Sequence, residues 1–330
     1  MKILRIIFGI GTALGLIFSA ALWIPSHPSK TVVSVPVGAG LGLVAARLKS
    51  AGAVHSALAF KWLARLAGHS ADIKAGDYGI PRGLNAFQTL DLLVSGRSMM
   101  QPLLVREGLS AAQIGAELEK RGLGSAKAFM SLVKDPASAK RFGVPGPTLE
   151  GYLFPDTYFL PHGVGVETVV KLMVARFHQK VPDDLLAQAR AIRLKPRQAM
   201  TMASVIEKEA QAARERPIIS AVFRNRMRLK KRLESCATVR YALNKWTGPL
   251  YDRDLNVASP YNTYRNFGLP PGPICSPGLP SIEAALHPAK TDALFFVVAG
   301  DGTHIFSKTY ADHLKAKARW KKLKKGIVQE

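Results

Sequence analysis

The chain has 330 residues, enough for two domains and a substantial core. Its 46 lysines and arginines against 23 acidic residues give a net charge of +23, which taken alone points to polyanionic partners. Two cysteines and eight scattered histidines offer no metal-ligand spacing, so a zinc module is excluded.

After Lys2 and Arg5 the chain runs uncharged from Ile6 to Ile24, long enough for a helix to cross a hydrocarbon core of about 30 Å. Basic residues before the run and none directly after it keep the N-terminus in the cytoplasm. Ser19-Ala20-Ala21 offers a signal-peptidase alternative, but the unbroken length and Trp23 at the exit interface favour a retained anchor. The expectation is a single-pass protein of the cytoplasmic (inner) membrane, with the bulk of the chain extracytoplasmic. Export redirects the positive charge, concentrated at Arg224–Arg232 and Leu314–Lys325, from nucleic acid to anionic lipid or an acidic wall polymer. A merely solvated basic surface is the competing reading.

Residues 26–31 read as a short linker. Val32–Val37 alternates like a strand, Leu43–Ala51 and Ser56–Ala67 carry helical patterns, and Ile73–Ile80 reads as a strand ending at Pro81-Arg82-Gly83. Strand, helix, helix, strand in about fifty residues describes a small α+β module. A helix at Ala86–Ser95, a strand at Met100–Val105 and a helix at Ala111–Arg121 with Ser110 as N-cap follow. A helical stretch covers Ala126–Arg141, and Gly143–Pro147 marks the main boundary. The division is therefore 1–25 anchor, 26–31 linker, 32–107 small module and connecting region, 108–148 helical connection, and 149–330 a second α+β domain with a basic tail. Within it, helices are expected at 167–180, 183–192 and from Pro196, with a basic helix over Pro217–Arg232. A proline- and glycine-rich loop spans 259–280, and strands at 294–299 and 303–307 meet through Gly300-Asp301-Gly302.

The helix from Pro196 holds the chain's most informative pattern, Ala203-Ser204-Val205-Ile206-Glu207-Lys208-Glu209-Ala210. At about 100° per residue, Ala199, Met200, Met202, Ala203, Val205 and Ile206 share one arc, and both glutamates fall within it while Lys208 points out. An apolar setting raises a carboxyl pKa, as a general acid near neutral pH requires. Two half-buried glutamates paired with the arginines that follow would give the same pattern. Glu207 and Glu209 diverge by about 200°, so they cannot face one bond together. Cys236 and Cys275 either form one disulfide, worth about 3–4 kcal/mol in the chain-entropy model, or remain two buried thiols.

Taken together, Leu149–Tyr158 (LEGYLFPDTY), Ala203–Ala210, Val222–Arg226 (VFRNR), Ser259–Tyr264 (SPYNTY), Gly268–Ile274 (GLPPGPI), Pro277-Gly278 and His304-Ile305-Phe306 resemble the YceG/MltG-like endolytic murein transglycosylases over nearly the whole chain. The resemblance implies a lyase that cuts the MurNAc–GlcNAc β-1,4 bond within nascent peptidoglycan strands and leaves 1,6-anhydro-MurNAc ends. It implies a LysM-like module after the anchor, no cofactor, glycan strands as substrate, and peptidoglycan synthases as partners. Glu207 matches the family's catalytic residue. One glutamate suffices for this chemistry: it protonates the glycosidic oxygen and takes the proton of the MurNAc 6-hydroxyl, which attacks C1 intramolecularly. Glu150, Asp156 or Glu283 would be the distant carboxylates able to assist.

On this reading Tyr261, Tyr264 and Phe267 stack on pyranose rings, Asn262 and Thr263 bond hydroxyls and N-acetyl groups, Pro271 joins the substrate-binding residues, and the loop's prolines stiffen it. Asn225 and Arg226 orient Glu207 or touch glycan, while Glu209 pairs with an arginine of the next helix. The chain departs from the family's Gln-Ser-Asp-Pro-Thr-Val at Glu234–Val239 (ESCATV), where Cys236 would tie that segment to Cys275 in the substrate loop. A non-catalytic wall-binding scaffold that recruits synthases is the alternative from another class, and a muramidase-type hydrolase the alternative within enzymes.

Overall fold

The computed structural model describes residues 18–26, 31–161 and 164–327. The expected anchor lies largely outside these residues. Its described end is helical at 18–23, and no helix among the described residues is long and apolar enough to cross a membrane. The chain is α+β and forms two compact units.

The first unit takes in the described residues up to Leu103, with Lys120–Gly124 and Tyr158–Val166. It opens with β1 (Thr31–Val35), α1 (Leu41–Ser50), α2 (Ala57–Leu66) and β2 (Gly76–Ile80). The two strands are antiparallel, with Thr31 opposite Ile80 and Val33 opposite Tyr78. Alternation places Val33 and Val35 inward, against Val44, Leu48, Phe60, Tyr78 and Ile80. Ser56 caps α2 by accepting the Ala59 N–H, and Asn85 with Gln88 forms a reciprocal capping box on α3 (Ala86–Ser95). β3 (Met100–Leu104) pairs with β4 (Thr157–Pro161) in a separate two-stranded sheet. Pro102 is tolerated because a two-stranded sheet has only edges.

The second unit comprises Leu104–Glu119, Ser125–Thr157 and the chain from Glu167. Gly143–Pro147, the expected boundary, therefore lies inside it. Its helices are α4 (Ala111–Lys120), α5 (Ala126–Lys134), α6 (Pro136–Arg141), α7 (Val166–Lys180), α8 (Asp183–Ala187), α9 (Pro196–Glu209), α10 (Arg216–Arg228), α11 (Cys236–Leu243), α12 (Leu279–Leu286) and α13 (Tyr310–Ile327). The expected 126–141 helix is broken at Asp135, which caps the Ala137 and Ser138 N–H groups ahead of Pro136. The basic helix stops at Arg228, not Arg232, because Lys230 adopts a left-handed φ of 51°. β5 (Phe295–Val298) and β6 (His304–Ser307) form the expected hairpin. The core is centred on α9, which packs against α12, α10 and α11. Residues 199–206 of α9 are all buried, together with Ile219, Val222, Phe223, Ile282 and Ala285.

Candidate active site

Pro196 starts α9, and the Lys195 N–H is satisfied by Gln198 Oε1 at 2.8 Å. Three residues before Glu207, Ser204 provides a dock for the proline-rich loop. Its hydroxyl accepts the Ile274 N–H at 3.0 Å, and its carbonyl accepts the Cys275 thiol at 3.3 Å. The loop then lies beside residues 108–109: the Gly108 N–H donates to Ser276 O at 2.9 Å and the Ser276 N–H to Leu109 O at 2.8 Å. These bonds bring the Glu107 turn, the Gly278 start of α12 and the last turn of α9 together.

Glu207 sits at that junction with a side chain only 8% exposed. Its Oε2 accepts the Gly278 N–H at 3.1 Å and the Ser281 hydroxyl at 2.7 Å. Arg216, at the start of α10, stands 3.5 Å from Oε1 and donates Nε–H to the Ser281 hydroxyl at 2.9 Å. One carboxylate is thus fixed by a backbone donor, a hydroxyl and a guanidinium from two other elements. Lys208 points out of the arc, donating to Gly108 O at 3.2 Å with its ammonium 4.8 Å from the Trp246 ring centre.

Glu107 is a second carboxylate at this place, and one that the sequence pattern did not single out. A Cβ on Gly278 would lie 1.9 Å from its Oε1, so the absence of a side chain at 278 admits the Glu107 head. Burial, then the nearby Glu207 charge, raises the Glu107 pKa, with Arg216 opposing.

Glu209 faces the other way. The Ser235 hydroxyl and the Ala237 N–H bond its carboxyl, and burial pushes its pKa up. The arginine expected on Glu209 is instead found on Glu207. Glu209, Phe223, Arg226, Cys236, Tyr264 and His304 line a separate cavity of about 510 Å³. Tyr264 belongs to that cavity, its hydroxyl 3.1 Å from Cys236 Sγ. Cys236 is exposed and Cys275 buried, and both are free. The Cys236–Cys275 bridge does not form, since one thiol faces Tyr264 and the other the Ser204 carbonyl.

Several expected glycan ligands are consumed inside the protein. Asn262 and Thr263 are fully buried. The Asn262 amide donates to Leu255 O and Val257 O, both at 2.9 Å, while its oxygen accepts the Tyr264 N–H. Thr263 Oγ1 accepts the Ser235 N–H at 3.0 Å and lies 2.9 Å from Thr238 Oγ1. Asn225 donates to Thr291 O and Ala293 O, and Arg226 to Arg232 O, Leu294 O and Glu234, so neither touches Glu207. Phe267 is exposed, and Arg232 lies over its ring.

Tyr261 does join the site's margin. Its ring is 4.7 Å from Tyr241, which is 6.3 Å from Trp246. Its hydroxyl lies 3.3 Å from where a Cβ on Gly272 would stand, next to the exposed Pro271.

Glu150 is buried and is tied to this margin through Tyr241. It accepts the Ala111 N–H at 2.9 Å and the Tyr241 hydroxyl at 3.1 Å, and burial lifts its pKa to about 7. Its neighbour Gly151 has φ +86°, and a Cβ there would stand 2.3 Å from Pro273. Only glycine satisfies both demands, which locks the LEGY and GLPPGPI motifs together. Asp156 pairs with Arg176 at 2.5 Å and serves structure. Among the described residues no His, Cys, Asp and Glu group is arranged to hold a metal ion.

The sequence pattern of the YceG-like family matches residues 33–319 of this chain. The chain belongs to the YceG-like family. It is 33% identical over 310 residues to the endolytic murein transglycosylase of Bacillus subtilis, covering 88% of this chain and 86% of that one. It is 28% identical to the endolytic murein transglycosylase of Streptococcus pneumoniae serotype 2, covering 90% of this chain and 60% of that longer protein. A crystal structure of a YceG-like protein from Listeria monocytogenes superposes with a TM-score of 0.61 at 30% identity, over 87% of this chain and 98% of the other.

Proposed function

We propose that this YceG-like protein is an endolytic peptidoglycan transglycosylase that cleaves the MurNAc–GlcNAc β-1,4 bond and leaves 1,6-anhydro-MurNAc ends. The observation that carries the reading is the Glu207 carboxylate, nearly enclosed and held by Gly278 N–H, the Ser281 hydroxyl and Arg216. The reaction moves one proton: the glycosidic oxygen gains it and the MurNAc 6-hydroxyl loses it. Glu207 is the residue on which that transfer turns, and fixing its carboxylate in advance lowers the cost of reaching the reactive arrangement. The Tyr241 ring, 4.7 Å from Tyr261 and 6.3 Å from Trp246, supports an aromatic surface for pyranose faces, with exposed Pro271 near Tyr261.

The same reading puts the protein in the cytoplasmic membrane through residues 6–24, with the catalytic unit outside and synthases of nascent strands as its working partners. The β1–α1–α2–β2 order of the first unit supports a LysM-like, glycan-binding role for it.

Glu207→Gln tests the assignment. The variant should bind isolated sacculi like the wild type and release no anhydro-muropeptides. Full release by Glu207→Gln would remove Glu207 from the chemistry, and wild-type binding without release would make the protein a scaffold.

A further inference from the structure

The Glu207 site contains a carboxylate that a one-glutamate mechanism leaves without a task. Glu107 is carried by the turn before α4, 100 residues from Glu207 in sequence, and is held there by the paired Gly108–Ser276 and Ser276–Leu109 backbone bonds. Its carboxylate lies over the bare Cα of Gly278, whose own N–H bonds Glu207. That shared contact keeps an oxygen of one carboxylate within about 7.5 Å of an oxygen of the other, near enough for both to reach one glycosidic bond.

Their surroundings differ in a useful way. Glu207 is nearly enclosed and receives three donors. Glu107 is exposed and in exchange with water, and the proximity of Glu207 together with partial burial makes it the more willing to hold a proton than an ordinary glutamate. Two neighbouring carboxyls in contrasting environments are how acid and base roles are separated.

We propose that Glu107 is the proton donor to the glycosidic oxygen and that Glu207 is the base, a division of labour that rests on the transglycosylase reading above. In the step, the C1–O4 bond breaks with its electron pair going to O4, which takes the Glu107 proton. The MurNAc O6 forms the new bond to C1, and its proton passes to the Glu207 carboxylate. The two carboxyls return to their starting states by exchanging one proton with water, which Glu107 reaches directly.

The test compares the full chain, Glu107→Gln and Glu207→Gln on two substrates. One is native peptidoglycan glycan. The other is a glycan oligomer ending in MurNAc with a 4-nitrophenyl group at C1, whose phenolate leaves without protonation. On native glycan, Glu107→Gln should lose about 100-fold or more in rate with unchanged thermal unfolding. On the aryl substrate it should return to within about threefold of wild type, whereas Glu207→Gln stays inactive on both. Wild-type-like activity of Glu107→Gln on native glycan would overturn the proposal. So would an equal loss on both substrates, which marks a structural role. If the wild type itself forms no anhydro ends, the transglycosylase reading fails and takes this division of roles with it.

Discussion

Ser281→Ala removes the hydroxyl that joins Arg216 to Glu207 and changes little else, because alanine fits the same space in the first turn of α12. The serine is fully buried, donates to Glu207 Oε2 at 2.7 Å and accepts Arg216 Nε–H at 2.9 Å. A hydrogen bond to a charged group contributes about 1.5–3 kcal/mol. If the bond orients the carboxylate during reaction, that energy appears as a loss of about 10- to 150-fold in kcat/KM for anhydro-muropeptide release. The assay is chromatographic quantification of anhydro ends over a range of glycan concentrations, with sacculus binding measured alongside. Because the hydroxyl acts through Glu207, adding Ser281→Ala to Glu207→Gln should cost nothing further. Undiminished turnover by a folded Ser281→Ala protein would refute the claim that this network positions the reacting carboxyl.

Two further substitutions test the scaffold around the site. Glu150 has its pKa raised by burial from an ordinary 4.5 to about 7, so its contribution to stability is complete below about pH 4.5 and is lost as pH rises through 7. Glu150→Gln, with its amide oxygen toward Ala111 N–H, should therefore gain about 2–3 kcal/mol relative to wild type between pH 5 and pH 8 in denaturant unfolding, and a pH-independent difference would contradict this. Gly151→Ala combines a left-handed φ with a Cβ 2.3 Å from Pro273 and should destabilise by about 2 kcal/mol or more in the same assay; an unchanged midpoint would mean that the two motifs are not locked there.

Periodicity located what is local. The strand–helix–helix–strand order of the first unit, the Gly300–Gly302 hairpin and the α9 arc carrying Glu207 were all readable, because each is set by residues a few positions apart. The proline-rich segment hid α12, since Gly278 and Pro280 look like loop punctuation and act instead as N-cap and first-turn residues. β4 escaped because its partner β3 is more than fifty residues earlier. Asn262 and Thr263 have the chemistry of sugar ligands, yet their polar groups hold the loop in shape, a distinction that composition does not contain. Glu107 was invisible for the opposite reason: it lies in an unremarkable turn and acquires meaning only where Gly278 leaves room for it.

The central claim concerns the bond that replaces the glycosidic linkage. Mass spectrometry of glycan strands cut by the wild-type protein reads it directly. The account predicts new internal ends in which MurNAc is one water lighter than the reducing sugar, the 1,6-anhydro form, and their disappearance with Glu207→Gln. Reducing-end MurNAc as the new terminus would contradict it and make the protein a hydrolase.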